Sequence, residues 1–397
     1  MAELNPEILK WARQTAGLDL ETAARKIGLN AARGVPGTDR LAGYETGNSR
    51  PSMSLLRRMA RQYHRPLLTF YLPKVPAPAE LGQDFRTLPD QGSPSNVLLA
   101  ALLRDVKARQ ALVRATIEDD EDATAVTLVG SQRGVTDPLR LSVALVAAIG
   151  FDRAEFRNRQ SAEDAFAYLR ARVEAVGVFV LLAGDCGSWQ TAVEVSIFRG
   201  FAITDDLAPF VVINDQDAKA AWSFTLLHEL AHLLLDEPGI SGGAPTAGIE
   251  QLCNDAAAAT LIAPDELADL PLEGGAGDIV AIGELADRCR VSRGMVAYQL
   301  FRAKRLPLRR WEELRDRFRE EWLAKKAATR AASRVSPGGP SWYVLRRHRL
   351  GAALLDIARE GIADGSLTPT RAARMLGVKP MSVYPLLAGT GRSRITT

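Results

Sequence analysis

Two of the four histidines in the chain, His228 and His232, lie four residues apart in the apolar segment 224–235. On a helix this spacing places both imidazoles on one face, close enough to bind a single metal ion. Glu229 follows His228 directly and points about 100° away around the helix, near the metal but off the histidine face. The His-Glu-x-x-His pattern therefore predicts a zinc hydrolase, with two ligands and a general base for water.

The alternative interpretation is a chance match in which both histidines are hydrogen-bonded residues of a core. The segment is apolar on nearly every side, so the helix is predicted to be buried. Burying two imidazoles and a carboxylate without partners would cost roughly several kcal/mol, and a bound metal removes that cost. The apolar surroundings therefore favour a metal site.

A catalytic zinc takes three protein ligands and keeps one open position. Asp236 continues the face of His228, but the two positions lie about 12 Å apart along a helix. That distance is too long for a shared metal whose bonds are about 2 Å. The third ligand is therefore expected from another element.

A second helix is predicted from Ile249 to Pro264, after a loop rich in Gly and Pro that lets it fold back beside the first. Glu250 and Asn254 share one face of this helix, which small alanines continue and which permits close approach. Glu250 is the predicted third ligand. Asn254 is predicted to hydrogen-bond the far nitrogen of a ligating histidine and so fix its tautomer.

Other interpretations of this second helix stay open. Cys253 is a soft ligand three residues after Glu250, and Asp255 is a further carboxylate. Glu250 at the start of a helix is also a common solvent-exposed residue, because a carboxylate is favoured there.

These motifs resemble those of the ImmA/IrrE family of metallopeptidases. The family carries a Glu-x-x-(Ala)-Asn-x-(Phe)-Ala-Ala-x-Leu-(Leu)-Met-Pro segment after its HExxH helix, and a similar segment runs here from Glu250 to Pro264. The chain departs from it with Cys253 for the usual Ala, Ala256 where Phe is common and Ala263 before the Pro, which suggests altered packing. The metal-binding positions are kept, so the resemblance implies a zinc metallopeptidase with a gluzincin-like ligand set.

Residues 1–74 are predicted to form a small helical domain. Asn5 and Pro6 suit the cap and the first position of a helix, and Asp19 or Leu20 opens a second. The Glu-x-Gly-x-x-x-Pro-Ser sequence from Glu45 resembles the XRE family of helix-turn-helix repressors.

That resemblance implies a recognition helix over about Asp39–Tyr44 that enters the major groove of DNA. Residues 30–37 depart from the family pattern, because they make the turn before this helix longer than usual. A helical protein–protein module is therefore the alternative. If DNA is bound, Arg40 is the expected base reader. Arginines expected nearer the phosphates are Arg33, Arg50, Arg57 and Arg58.

The rest of the chain divides at two predicted linkers rich in small residues and Pro, 75–95 and 326–340. Between them, residues 96–325 are the predicted metallopeptidase domain, and residues 341–397 are a helical module with a helix-turn-helix-like sequence from Leu367. The predicted fold class is α+β and mostly helical, with a zincin-like domain that contains a small sheet.

Three strands are predicted before the zinc helix, at 178–182, 193–198 and 210–213, from alternation and β-branched residues. Val193–Phe198 is the predicted edge strand that holds a substrate backbone by strand addition. After the site, Tyr298 is interpreted as a packed aromatic, with hydrogen-bond donation to an oxyanion as the alternative.

Charge is distributed unevenly although the net charge is only +3. Residues 1–74 carry 12 Lys/Arg against 6 Asp/Glu, residues 75–289 carry 15 against 33, and residues 290–397 carry 23 against 8. Basic ends around an acidic middle favour nucleic-acid contact at the ends, although solvated helix faces give the same pattern.

Composition favours a cytoplasmic protein with no membrane partner. No apolar run is as long as a membrane span, and the N-terminus lacks the pattern of a signal peptide. Cys186, Cys253 and Cys289 are scattered and odd in number, which suits a reducing compartment.

The sequence therefore predicts a zinc-dependent metalloendopeptidase coupled to a DNA-binding domain. The family resemblance implies a protein substrate, either a DNA-bound repressor or an antitoxin-like protein, and a homodimer through the XRE-like domain. The alternative is a DNA-binding transcriptional regulator whose zinc site is a sensor or a structural site without protease activity.

Overall fold

A computed structural model describes residues 3–76, 94–185, 191–237, 240–241, 248–272, 274–335 and 340–388. These residues form an α+β structure that is mostly helical and contains one small sheet, as the sequence predicts. The chain divides into two compact units, residues 1–104 with 185–193 and residues 105–184 with 194–397.

The first unit begins with four helices and a 3-10 helix. They are α1 (Pro6–Thr15), α2 (Leu20–Lys26), α3 (Gly37–Glu45), α4 (Met53–Gln62) and the 3-10 helix Leu67–Tyr71. The side chains of Asn5, Asp19 and Ser52 accept backbone hydrogen bonds at the starts of α1, α2 and α4. They satisfy N–H groups that lack partners within the helix, and the first two are the helix starts that the sequence predicts.

A buried ion pair joins α1 to α3. Arg13 Nε donates to Glu45 Oε1 at 2.6 Å and Arg13 Nη2 donates to Glu45 Oε2 at 2.8 Å. The two side chains are only 9% and 5% exposed. This two-pronged contact satisfies both carboxylate oxygens and fixes α3 against α1.

A long turn separates α2 from α3, as the sequence predicts from residues 30–37. Gly37 opens α3 against this turn, because a Cβ at that position would lie 1.9 Å from the carbonyl oxygen of Leu29. Glycine is therefore required where the helix begins. Helix α3 covers the predicted recognition helix and extends beyond it at both ends.

The described part of the second unit contains a four-stranded sheet. Its strands are β1 (Phe179–Leu182), β2 (Gly200–Ile203), β3 (Phe210–Ile213) and β4 (Ile240–Ser241), in the order β1-β3-β2-β4. β1 and β3 are parallel, and β2 is antiparallel to both β3 and β4. Strands at 178–182 and 210–213 are among those that the sequence predicts.

The prediction of a strand over Val193–Phe198 is wrong. Residues 195–197 form a turn, and the strand begins later, at Gly200. Val193 and Phe198 are nevertheless fully buried, so the alternation of apolar residues reflects core packing and not pairing with a neighbouring strand. The predicted role of this segment as an edge strand for substrate is wrong with it.

Helices of the second unit pack around one another and against the sheet. They are α5 (Pro94–Glu118, which starts in the first unit), α6 (Pro138–Ile149), α7 (Arg153–Arg157), α8 (Ala162–Ala175), α9 (Lys219–Leu235), α10 (Ile249–Leu261), α11 (Pro264–Ala268), α12 (Ala276–Arg288), α13 (Arg293–Arg302) and α14 (Leu308–Val335). Helix α9 contacts β2 and β3, and it also packs against α6, α8 and α10. It is therefore the central element of the largest core.

Helix α14 continues through residues 326–335, where the sequence predicts the start of a linker. The segment is rich in Ala, Lys and Arg, which have high helix propensity, and this favours continuing the helix. Residues 336–339 of that linker, and 77–93 of the linker predicted at 75–95, lie outside the described residues.

The C-terminal part of the second unit is the predicted helical module. It contains α15 (Trp342–Leu350), α16 (Ala352–Ala363), α17 (Pro369–Leu376), the 3-10 helix Pro380–Ser382 and α18 (Val383–Leu387). Helices α15 and α16 contact β1, so this module packs at that end of the sheet.

No helix in the described part of the chain is both long enough and apolar enough to cross a membrane.

Candidate metal centre

Helix α9 carries its polar side chains inside the core. Every residue from Thr225 to Leu235 is buried, and His228, Glu229 and His232 are 2%, 0% and 2% exposed. The helix ends at Leu235, and the next residue, Asp236, adopts the left-handed conformation and pairs with Arg133. Asp236 is thus not grouped with His228 and His232 as a metal donor, as its axial distance from His228 predicts.

Helix α10 brings Glu250 to the two histidines. His228 Nε2 lies 3.3 Å from Glu250 Oε2, and His232 Nε2 lies 3.3 Å from Glu250 Oε1. The two Nε2 atoms are 3.1 Å apart. Helices α9 and α10 approach closely because the fully or almost fully buried residues of α10 include three consecutive alanines, Ala256 to Ala258.

These distances suit a single tetrahedral metal ion. Two bonds of about 2.0–2.1 Å at a tetrahedral angle place their donor atoms about 3.3 Å apart. The three donors are separated by 3.1 to 3.3 Å, and they form the group that has metal-ligand geometry among the described residues. Two imidazoles and a carboxylate are a donor set that zinc accepts, and the fourth position of a tetrahedron is left for water or substrate.

The orientation of the His232 ring is fixed by a hydrogen bond at Nδ1, the ring nitrogen that does not face the other donors. Its Nδ1 donates a hydrogen bond to the carbonyl oxygen of Glu237 at 2.7 Å. This bond holds a proton on Nδ1, so Nε2, which faces Glu250 and His228, is the ring atom that would bind a metal.

His228 has a different environment. Its Nδ1 atom is buried and has no hydrogen bond within the described residues. Burial lowers the pKa of His228, while the Glu250 carboxylate, which accepts a hydrogen bond from the ring, and more weakly Asn254 oppose that shift. Asn254 therefore influences His228, but the hydrogen bond that the sequence predicts from Asn254 to the far nitrogen, Nδ1, is not formed.

The carboxylate of Glu250 is held in its charged form. Burial would raise its pKa, but hydrogen bonds from His228 and His232 outweigh burial and lower the pKa to about 2. Burial also acts to lower the pKa of His232, and contacts with Cys253 and Glu250 outweigh it and raise that pKa. Glu250 thus supplies one negative charge, which offsets part of the charge of a divalent ion.

The two alternative ligands have other surroundings. Cys253 is fully buried beside His232, and burial raises the pKa of its thiol; it does not belong to the group of three donors. Asp255 accepts hydrogen bonds from Gln251 at 2.7 Å and from Arg302 at 3.1 Å. Its carboxylate is therefore satisfied between α10 and α13.

Glycine at position 200 makes room for Glu229. A Cβ on Gly200 would lie 2.8 Å from Glu229 Oε1 and 2.6 Å from Thr225 Cγ2. Strand β2 therefore passes directly over the face of α9 that carries the predicted general base. Gly200 is not among the site residues that the sequence predicts, and its only signal in the sequence is a glycine at the start of an apolar run.

Tyr298 packs in an aromatic cluster of the second unit. Its ring lies 5.7 Å from that of Trp311 and 6.4 Å from that of Phe301. Its hydroxyl donates to Gln251 Oε1 at 3.3 Å. These contacts agree with a packed aromatic that also braces α10 one residue from Glu250.

The five arginines named for DNA binding all lie in the first unit. Arg40 lies on α3, and its Nη1 donates to the carbonyl oxygen of Asn30 at 2.7 Å. Arg50 pairs with Glu3 at the surface. Arg33 lies in the turn before α3, and Arg57 and Arg58 are exposed on α4.

Residues 193–319 match the family model Peptidase_M78, described as an IrrE N-terminal-like domain. No curated protein and no solved structure gives a significant match to the chain. The matched segment contains α9, α10 and their three donors, so this part of the chain is similar to a metallopeptidase-family domain.

Proposed function

We propose that the chain is a zinc-dependent metalloendopeptidase coupled to an N-terminal DNA-binding domain. The observation that carries this proposal is the triangle of donor atoms from His228, His232 and Glu250, with Glu229 buried next to it. The match of residues 193–319 to a peptidase family supports the same class of reaction.

His228, His232 and Glu250 would hold the zinc ion. When bound, zinc supplies a Lewis acid that polarises the substrate carbonyl and lowers the pKa of water to about 7. Glu229 accepts the proton of the attacking water and then donates it to the departing amine of the cleaved peptide. Gly200 keeps β2 clear of the Glu229 carboxylate while this proton moves.

The proposed substrate is a DNA-bound repressor or an antitoxin-like protein in the cytoplasm. Helices α1 to α4 would form an XRE-like domain that brings the peptidase to DNA, as a homodimer. The support is the order of helices, the helix starts at Asn5 and Asp19, and the excess of basic residues at the N-terminal end.

The test is a Glu229→Gln variant. It should retain zinc, because Glu229 is not one of the three donors, and it should lose cleavage of co-expressed DNA-binding proteins. Metal analysis and detection of cleavage products measure the two properties separately. Cleavage that persists in Glu229→Gln would falsify this mechanism.

A transcriptional regulator with a sensory or structural zinc site is the second candidate. The burial of both histidines favours it, because a sensory or structural ion needs no access for a protein substrate. This candidate expects zinc-dependent operator binding that is unchanged by Glu229→Gln, and no cleavage by the unmodified protein.

A further inference from the structure

Helices α17 and α18 form a helix–turn–helix segment, residues 369–387, at the C-terminal end of the second unit. Helix α17 ends at Gly377, which adopts the left-handed conformation, and a three-residue turn leads to the 3-10 helix at Pro380 and then to α18. A turn of this length with a glycine is typical of helix-turn-helix motifs.

The buried residues of this segment hold its two helical parts together. Helix α17 contacts both the 3-10 helix and α18. Their shared core consists of Ala372, Ala373, Met375, Leu376, Val383, Leu386 and Leu387. One side of the segment is therefore packed in this core. The exposed side chains of the segment, on its other side, are available for contacts outside the chain.

Two large side chains of the second helical part are exposed. Met381 is 79% exposed and Tyr384 is 59% exposed. They lie three residues apart, which places them on the same side of a helical turn. In a helix-turn-helix protein, the exposed side of the second helix is the part that enters the major groove.

The charged residues of the segment and of the sequence that follows it are all basic. Residues 365–397 contain Arg371, Arg374, Lys379, Arg392 and Arg394 and no Asp or Glu. The side chains of Arg371, Arg374 and Lys379 are exposed and make no ion pair with any described residue. Residues 75–289, by contrast, carry 33 acidic side chains against 15 basic ones.

The module is attached to the rest of the second unit by other residues. Arg170 and Glu174 on α8 form a buried pair; Arg170 donates to the carbonyl oxygen of His348 at 2.5 Å, and Glu174 accepts from the backbone N–H of Ala352 at 3.0 Å. This attachment uses the end of α15 and the start of α16. It leaves the exposed residues of α17 and α18 uncovered.

We propose that this helix–turn–helix segment binds duplex DNA. Arg371, Arg374 and Lys379 contact phosphates, and the helical part that carries Met381 and Tyr384 lies in the major groove. Unpaired cationic side chains without any acidic neighbour in sequence complement the phosphate backbone, and exposed apolar atoms suit the thymine methyl groups of the groove. This site would be separate from the one proposed on the N-terminal helices.

The test measures DNA binding by the full-length protein with fluorescence anisotropy, on a labelled duplex of about 20 base pairs of mixed sequence. Replacing both Arg371 and Arg374 by Glu should lower affinity by about tenfold or more and should reduce the slope of log affinity against log salt by about 2. The matched control replaces Arg309 and Arg319 on α14, two other exposed arginines, by Glu.

A second comparison separates this site from the N-terminal one. The same double change is measured with and without Arg57→Glu and Arg58→Glu. A loss of affinity on changing Arg371 and Arg374 in both backgrounds supports the C-terminal site, even if Arg57 and Arg58 have no effect and the N-terminal proposal fails.

Tyr384→Ala tests the groove contact without a change of charge. We expect about fivefold weaker binding with an unchanged salt slope, because phosphate contacts set that slope. Thermal denaturation and zinc content verify that each variant is folded. Unchanged binding in Arg371→Glu/Arg374→Glu, an equal loss in the α14 control, or equally tight binding of single-stranded RNA would each overturn the proposal.

Discussion

The metal centre and the N-terminal helices place their candidate functional residues in opposite environments. His228, His232 and Glu229 are buried in α9, whereas Arg57 and Arg58 are exposed on α4. A buried polar group needs a partner, so its spacing in sequence restricts the three-dimensional arrangement strongly. An exposed arginine is satisfied by water, so its spacing in sequence restricts the three-dimensional arrangement much less.

Arg40 illustrates how little a partly exposed side chain restricts the prediction of function. It is the predicted base reader, yet its guanidinium already donates to the carbonyl oxygen of Asn30 within the unit. The buried charged pair of the same unit, Arg13 with Glu45, has a structural position between α1 and α3. In this unit, burial therefore identifies residues that hold the fold, while in α9 it identifies residues suited to chemistry.

Removing the third donor should give the largest effect. Glu250→Ala leaves two imidazoles, and we expect zinc affinity to fall by more than about 100-fold, the upper range for losing a residue that only orients a ligand. Titration against a chelator measures the change. Asp255→Ala is the matched control, because that carboxylate bonds to Arg302 and Gln251, and it should retain zinc. The opposite ranking of the two variants would show that the wrong carboxylate has been assigned.

Breaking the buried ion pair between Arg13 and Glu45 tests whether burial identifies the residues that hold the first unit together. Arg13→Ala leaves the carboxylate of Glu45 buried without its partner, which typically costs about 3–5 kcal/mol of folding stability. Hydrogen exchange of the amides in α1 to α4 measures this locally.

The exposed pair of Arg50 with Glu3 supplies the control for Arg13. Its side chains are 75% and 76% exposed, and surface pairs contribute little because water screens them. Arg50→Ala should therefore leave exchange rates in the first unit unchanged. Equal effects of Arg13→Ala and Arg50→Ala would show that burial does not distinguish the two pairs.

The structure groups the three donors that the sequence predicts, His228, His232 and Glu250, because helix periodicity is a local property. Helix geometry alone places His228 and His232 on one face of α9. It also places Glu250 and the small alanines on one face of α10, so the site requires only that these two helices pack. The prediction of a strand over Val193–Phe198 is wrong because a strand is defined by the segment with which it pairs. Val193 and Phe198 are both buried, but the backbone that pairs with β3 begins at Gly200. Periodicity reports burial, and it does not report which segment forms the ladder.

Gly200 is subject to both kinds of constraint, because it lies on β2 and also against Glu229 on α9. Gly200→Ala places a Cβ within 2.8 Å of Glu229 Oε1, so the carboxylate or the strand has to shift. A displacement of about 1 Å in a catalytic group can cost about 100-fold in rate. We expect turnover to fall while zinc content is unchanged, which peptidase assays and metal analysis measure separately. Full activity in Gly200→Ala would indicate that Glu229 does not need its observed position.

Asn254 should give the smallest effect of the residues around the candidate metal site. It influences His228, but no hydrogen bond reaches His228 Nδ1 from the described residues, whereas His232 Nδ1 is held by the carbonyl oxygen of Glu237. Loss of a partner that orients a ligand typically costs about 10–100-fold in metal affinity, so Asn254→Ala should lie at or below the low end of that range. Competition with a chelator measures it, with Asn254→Asp as the near-isosteric comparison. A loss as large as that of Glu250→Ala would mean that Asn254 is itself a ligand, and the buried centre would then need four protein donors and be closed to substrate.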